Sequence, residues 1–132
     1  MFKEPVLIEG LPGMGNVAKI TIDFIIESLK AEKVYEISSS SFPNFVFVNE
    51  KGLTELPKVE IYYKKIKGID FFLVSGDVQP VDEASSYEFC ENLLDLFQEF
   101  KGKEVVTLGG IGLEEPPKFP RVYCSGTDKK FI

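Results

Sequence analysis

The sequence predicts an α/β domain, a three-layer α/β/α sandwich built on a mixed sheet. Three observations carry that prediction. First, Val6-Leu7-Ile8 and Val105-Val106-Thr107-Leu108 are short apolar runs without polar alternation, as in parallel strands covered on both faces. Second, strand-like runs end in glycine turns: Gly10-Leu11-Pro12-Gly13-Met14-Gly15-Asn16, Ser75-Gly76-Asp77 and Gly109-Gly110-Ile111-Gly112. Third, two long helical patterns, over 16–30 and 82–100, are separated by alternating runs that read as antiparallel hairpins. Turns that follow parallel strands line one rim of a sheet, so that rim is where a ligand or partner is to be sought.

At 132 residues the chain is one domain by length, residues 1–132. A domain of this size buries about two thirds of its unfolded surface. A composition of 44% hydrophobic and 27% charged residues is that of a globular protein. Histidine is absent, which removes the commonest general base and metal ligand. The net charge of −6 argues against a nucleic-acid partner. Cys90 and Cys124 form no CxxC pair and read as small core residues, one on a helix and one in a strand. No run approaches the ~20 apolar residues of a membrane span, and with Met1–Pro5 leading straight into a strand no signal peptide is expected. The expectation is a soluble, cytoplasmic protein without metal or cofactor.

The first helix starts at Asn16, an expected N-cap, with Lys19 where a capping box would need Glu or Gln. Lys19, Asp23, Glu27 and Lys30 make a solvated stripe. Apolar residues, among them Val17, Ile20, Ile22 and Phe24, cover nearly all the rest. That is more apolar surface than one sheet face needs, so a second side is expected to meet another subunit or further chain. Val34–Ser38 reads as a strand and Ser38–Ser41 as a polar loop. Phe45–Val48 is expected to pair across the Asn49–Gly52 turn, and 59–63 to pair with 69–74 across Lys67-Gly68. In the second helix, Asp82 and Glu83 suit the positive helix end, and Tyr87, Cys90, Leu93, Leu94, Phe97 and Phe100 form the expected buried stripe. Gly102 reads as its C-cap glycine. Arg121–Cys124 reads as the last strand. Ser125–Asp128 looks like a helix start and Lys129–Ile132 like its first turn, so the chain is expected to be the N-terminal part of a longer design, truncated at its C-terminus.

The first turn has the order G-x-x-G-x-G, the reverse of the dinucleotide fingerprint, and Glu36 follows about 21 residues after Gly15, near where a ribose-binding acid is found. No Lys-Ser or Lys-Thr follows the glycines, so this is not a P-loop. Two readings stand. In one, Gly10, Pro12, Gly13, Gly15, Asn16, Gly76, Asp77, Gln79, Gly109 and Gly110 line a rim that binds a nucleotide or nucleoside. In the other, the glycines only permit a tight strand-to-helix corner and close packing. Asp77 likewise is a general base or a residue that fixes its turn through backbone N–H groups. Glu36, Asp70, Asp77 and Asp82 lie near strand ends but lack metal-ligand spacing. The serines of Ser38–Ser41 lack a histidine base, and the sequence shows no lysine set to replace it. Lys64, Lys65 and Lys67 form a solvated basic patch at a hairpin tip.

Taken in order, four motifs carry a resemblance. Ile8-Glu9-Gly10-Leu11-Pro12-Gly13-Met14-Gly15-Asn16-Val17-Ala18 resembles the opening signature of the proteasome-assembly-chaperone family. Gly76-Asp77-Val78-Gln79-Pro80, Thr107-Leu108-Gly109-Gly110-Ile111-Gly112 and Pro120-Arg121-Val122-Tyr123 are similar to its later segments, and together they span about residues 8–125. The resemblance implies a phosphorylase-like α/β/α sandwich, self-association into a homo-oligomer, docking on proteasome α-subunits or another protein subunit, and no catalysis. Members of that family run longer than this chain, so it covers their N-terminal portion. Archaeal members proposed to dock on the proteasome end in a hydrophobic-Tyr-any-residue tail. Here Phe131 stands where the tyrosine would.

Overall fold

The computed structural model describes residues 2–131. The chain runs β1 (Val6–Gly10), α1 (Val17–Leu29), β2 (Glu32–Ile37), β3 (Phe47–Val48), β4 (Thr54–Glu55), β5 (Val59–Ile66), β6 (Ile69–Gly76), α2 (Glu83–Glu99) and β7 (Glu104–Thr107). A 3-10 turn, Met14–Asn16, leads into α1, and another, Lys129–Phe131, stands at the expected C-terminal turn. Ile132, the last residue of that expected turn, lies outside the described residues.

The main sheet has five strands in the order β2-β5-β6-β1-β7. β1 pairs parallel to both β6 and β7, while β5 pairs antiparallel to β6 and to β2, so the sheet is mixed as expected. The β5–β6 hairpin turns through Lys67 and Gly68, both at positive φ (48° and 84°), the geometry that fits the twist of a two-residue hairpin. β3 and β4 form a separate small hairpin.

Strand alternation gives the sheet two faces. On one, Gly10 and Ser75 meet α1, which buries Ala18 and Ile22. A Cβ at Gly10 would stand 2.5 Å from the Ala18 carbonyl oxygen and 2.7 Å from the Ile22 Cβ, so only glycine lets α1 lie this close. On the other face, Leu7, Val59, Ile61, Phe72 and Val74 pack with Leu93 and Phe97 of α2 into the main core. Phe2, Tyr63, Phe72 and Phe100 extend it as an aromatic cluster, with Phe72 and Phe100 stacked at 5.1 Å. The result is the expected three layers.

Several local expectations need correction. Asn16 is not a side-chain cap. It sits in the left-handed region (φ 55°) directly after Gly15 (φ 62°), a conformation asparagine tolerates better than most residues. The cap that does form is on α2, where the Asp82 carboxylate accepts from the Ser85 amide at 2.9 Å. After α2 it is Lys101 that turns left-handed (φ 59°). Gly102 serves packing instead, because a Cβ there would come within 2.2 Å of the Phe97 ring. The buried stripe of α2 is Leu93 and Phe97, flanked by Phe89, Leu96 and Phe100. Tyr87, Cys90 and Leu94 are exposed, because the helix covers the sheet with one face and leaves the neighbouring face uncovered. Cys124 is exposed too. The segment 121–124 forms no strand: it pairs with no edge among the described residues, and Val122 is 99% exposed.

Candidate functional site

Because β1 lies between β6 and β7 and all three run parallel, their carboxyl ends come out side by side. The three glycine turns therefore share one rim. There they pack on one another. A Cβ at Gly76 would reach 2.7 Å from the Leu11 side chain, and one at Gly110 would reach 2.1 Å from the Met14 carbonyl oxygen. The Gln79 side-chain amide donates to the Pro12 carbonyl oxygen. The Asn16 amide closes the turn on the Gly13 carbonyl at 2.9 Å. Gly13 and Gly109 are the rim glycines with room beside them: the former has only the Gln79 amide, 3.9 Å from a Cβ position, and the latter nothing within 4 Å.

The acids expected near strand ends are drawn apart. Asp77 is held by the backbone of Lys58: its amide donates to the Lys58 carbonyl at 2.9 Å, and its carboxylate accepts from the Lys58 amide at 3.3 Å. Glu36 lies on β2, at the opposite edge of the sheet from β7, where it pairs with Lys33 at 2.9 Å and Lys58 at 3.5 Å. The strand after α1 goes to that far edge instead of settling beside β1, so Glu36 is nowhere near the first turn. Asp70 is fully buried at the other end of β6, accepting from the Tyr63 hydroxyl at 2.6 Å and the Lys3 amide at 2.9 Å. Those two bonds hold its carboxyl below the usual range, with the Lys65 ammonium at 3.4 Å adding to them. Asp82 is the helix cap. Among the described residues, no three His, Cys, Asp or Glu side chains cluster as metal ligands, and no helix is long and apolar enough to cross a membrane.

A serine and a lysine do meet, at a place the sequence did not mark. The Ser75 hydroxyl accepts from the Lys19 ammonium at 2.8 Å and donates to the Asp23 carboxylate at 2.6 Å, while Lys19 and Asp23 form an ion pair at 2.9 Å. The triad pins α1 to β6. Lys19 is held by a carboxylate, and Ser75 is buried under the helix, so the hydroxyl is neither exposed nor served by a free base.

Sequence reasoning also passed over Glu9. It faces a groove of about 260 Å³ between α2 and β7, walled by Leu7, Leu11, Phe89, Leu93, Leu94 and Val105. Burial pushes the Glu9 carboxyl above its ordinary value, opposed by the hydrogen bond it accepts from the Leu11 amide at 2.7 Å. The available signal was one acid closing an otherwise apolar strand, just before the glycines.

The profile of the PAC2 family matches residues 7–132, taking in every glycine turn of this rim. The chain belongs to the PAC2 family. An uncharacterized protein from Methanocaldococcus jannaschii is 30% identical over 124 residues, which are 94% of this chain and 48% of that protein. Among solved structures, the chain is similar to Pyrococcus furiosus PbaB, described as an archaeal proteasome activator. The TM-score is 0.84 at 36% identity, covering 91% of this chain and 51% of PbaB. P. furiosus PbaA, described as an archaeal homolog of proteasome-assembly chaperone, shares the PAC2 fold with a TM-score of 0.67 at 19% identity, over 89% of this chain and 49% of PbaA. A proteasome-assembly chaperone homologue of Mycobacterium tuberculosis shares it at a TM-score of 0.63 and 22% identity, over 79% of this chain and 48% of that one. The chain thus spans about half the length of the proteins it matches.

Proposed function

We propose that this chain is the N-terminal part of a non-enzymatic, cytoplasmic assembly factor that self-associates and binds proteasome α-subunits. The observation that carries the reading is the likeness to PbaB, at 36% identity over 91% of the chain. The surface chemistry supports it. α1 presents Val17, Ile20 and Phe24 to solvent, the last two 62% and 69% exposed, on the side that faces away from the sheet. Three apolar side chains one helical turn apart form a patch suited to another protein. The rim glycines hold corners together, and the buried Ser75 triad serves packing, so neither supplies catalysis.

The test is a pull-down of the purified chain with 20S proteasome α-subunits, together with an assay of α-ring assembly in its presence. Binding lost in Phe24→Asp would support a role for the α1 patch. No binding and no effect on assembly would remove the proteasome role and leave the family and fold untouched.

A further inference from the structure

α1 carries apolar side chains on two sides. Ala18 and Ile22 are buried against the sheet, and Ile25, Ile26 and Leu29 are partly buried. Val17, Ile20 and Phe24 are exposed. At about 100° per residue the two groups lie on roughly opposite sides of the helix. Hydrophobic burial is non-directional, so it does not by itself fix which side lies on the sheet.

Two neighbouring positions of the sheet supply the missing direction. Gly10 of β1 and Ser75 of β6 are register partners. Gly10 sets depth, because the Ala18 carbonyl and Ile22 occupy the space a Cβ would need. Ser75 sets rotation. The residue is 3% exposed, and its hydroxyl accepts from the Lys19 ammonium at 2.8 Å and donates to the Asp23 carboxylate at 2.6 Å. Lys19 and Asp23 stand one turn apart on one edge of the helix. Turning α1 so that Val17 and Phe24 approach the sheet carries both away and leaves a buried hydroxyl without a partner. Turning it the other way takes the two charges out of water.

We propose that Lys19, Ser75 and Asp23 form a rotational latch, which fixes the face α1 turns to the sheet and contributes conformational uniqueness instead of stability. Polar groups set into an apolar interface carry a desolvation penalty that apolar replacements avoid, and what they give in return is the exclusion of alternative arrangements. The latch thereby decides that Val17, Ile20 and Phe24 are the side chains displayed. Its contacts lie beneath the helix, so they hold whatever covers the outer face, a partner or further residues of a longer chain. The inference goes beyond the proposed function and needs no proteasome contact.

The test uses the full-length protein, including any residues that follow position 132. Methyl NMR of Ile20 and Ile22 reads the rotation, because one is exposed and the other buried. Urea unfolding reads stability. The wild type is expected to show one signal for each δ-methyl. Lys19→Met/Asp23→Leu/Ser75→Ala replaces the latch with apolar groups. Its Ile20 and Ile22 signals are expected to double or broaden, while its urea midpoint falls by no more than about 1 M. Ser75→Ala alone is expected to do the same to a smaller extent, and it carries the test if the triple variant does not fold by circular dichroism. Glu27→Leu, an exposed position on the same stripe, is expected to keep single signals. Single, sharp Ile20 and Ile22 signals at wild-type shifts in the folded latch variants overturn the inference. A midpoint lowered by more than about 1 M, or loss of fold in both variants, also overturns it, because the triad would then be a stabilising contact.

Discussion

Gly110 lies so close to Met14 that a Cβ on it would stand 2.1 Å from the Met14 carbonyl oxygen. The glycine turn after β7 is thereby locked onto the glycine turn after β1, and the signature at one end of the chain depends on the signature at the other.

Gly110→Ala should therefore be costly. The nearest atom is backbone and cannot swing aside, so the change is expected to destabilise the fold by about 1–3 kcal/mol. Gly109→Ala, with nothing within 4 Å, is expected to stay within about 0.5 kcal/mol of wild type. Urea unfolding midpoints of the two variants make the comparison, and equal midpoints would refute the locked rim.

Glu9 should make stability fall as pH rises. Its folded carboxyl binds its proton more tightly than the unfolded one, because burial raises it above 4.5. Its contribution is complete below the unfolded value and is lost as pH climbs through the raised one. Glu9→Gln keeps an acceptor for the Leu11 amide and removes the buried charge. It is expected to be more stable than its parent at pH 7 and to converge with it below about pH 4. Urea titrations of both proteins at the two pH values provide the check.

Asp70 should behave in the opposite sense. The Tyr63 hydroxyl and the Lys3 amide favour its ionised form, so its folded value lies below 3.8. Its stabilisation is present above that unfolded value and fades as pH falls through the lower folded one. Asp70→Ala is expected to cost about 2 kcal/mol at pH 7, because a fully buried acceptor with two strong donors is lost. The gap to wild type should narrow toward pH 2, as acid unfolding curves would report.

The α1 patch separates folding from association. Ile20→Lys and Phe24→Asp alter side chains that are mostly exposed, so unfolding free energies should change by no more than about 0.5 kcal/mol. Under the proposed function, capture of α-subunits should decline. Variants that unfold instead would show that the patch belongs to the core.

The elements that were legible in the sequence are those whose signal is local. The apolar runs of β1 and β7, the Lys67-Gly68 hairpin and both helices follow from short-range period and turn chemistry. Asp82 was legible as an acid suited to the positive helix end, and its bond to the Ser85 amide makes it the cap. The site was legible only as a set of glycine turns. Glu9 is one acid in a strand until α2 is laid over it, and Ser75 is one residue in a strand end until Lys19 and Asp23 arrive from 56 and 52 positions away. Asn16 misled because the same residue type serves an N-cap and a left-handed backbone, and only φ tells them apart. Cys90 and Leu94 misled because helical periodicity reports an apolar face without saying whether anything covers it.

By itself, then, the amino-acid order determined the layers, the mixed sheet and the family to which its glycine signatures belong. Each of these rests on contacts between residues near in sequence or on patterns repeated along it. The tertiary structure alone decided which glycines pack on their neighbours, where Glu36 goes, and that a carboxylate and an apolar groove lie together beside β7. Those are facts about which distant residues share a few ångströms of space, and no local period encodes them.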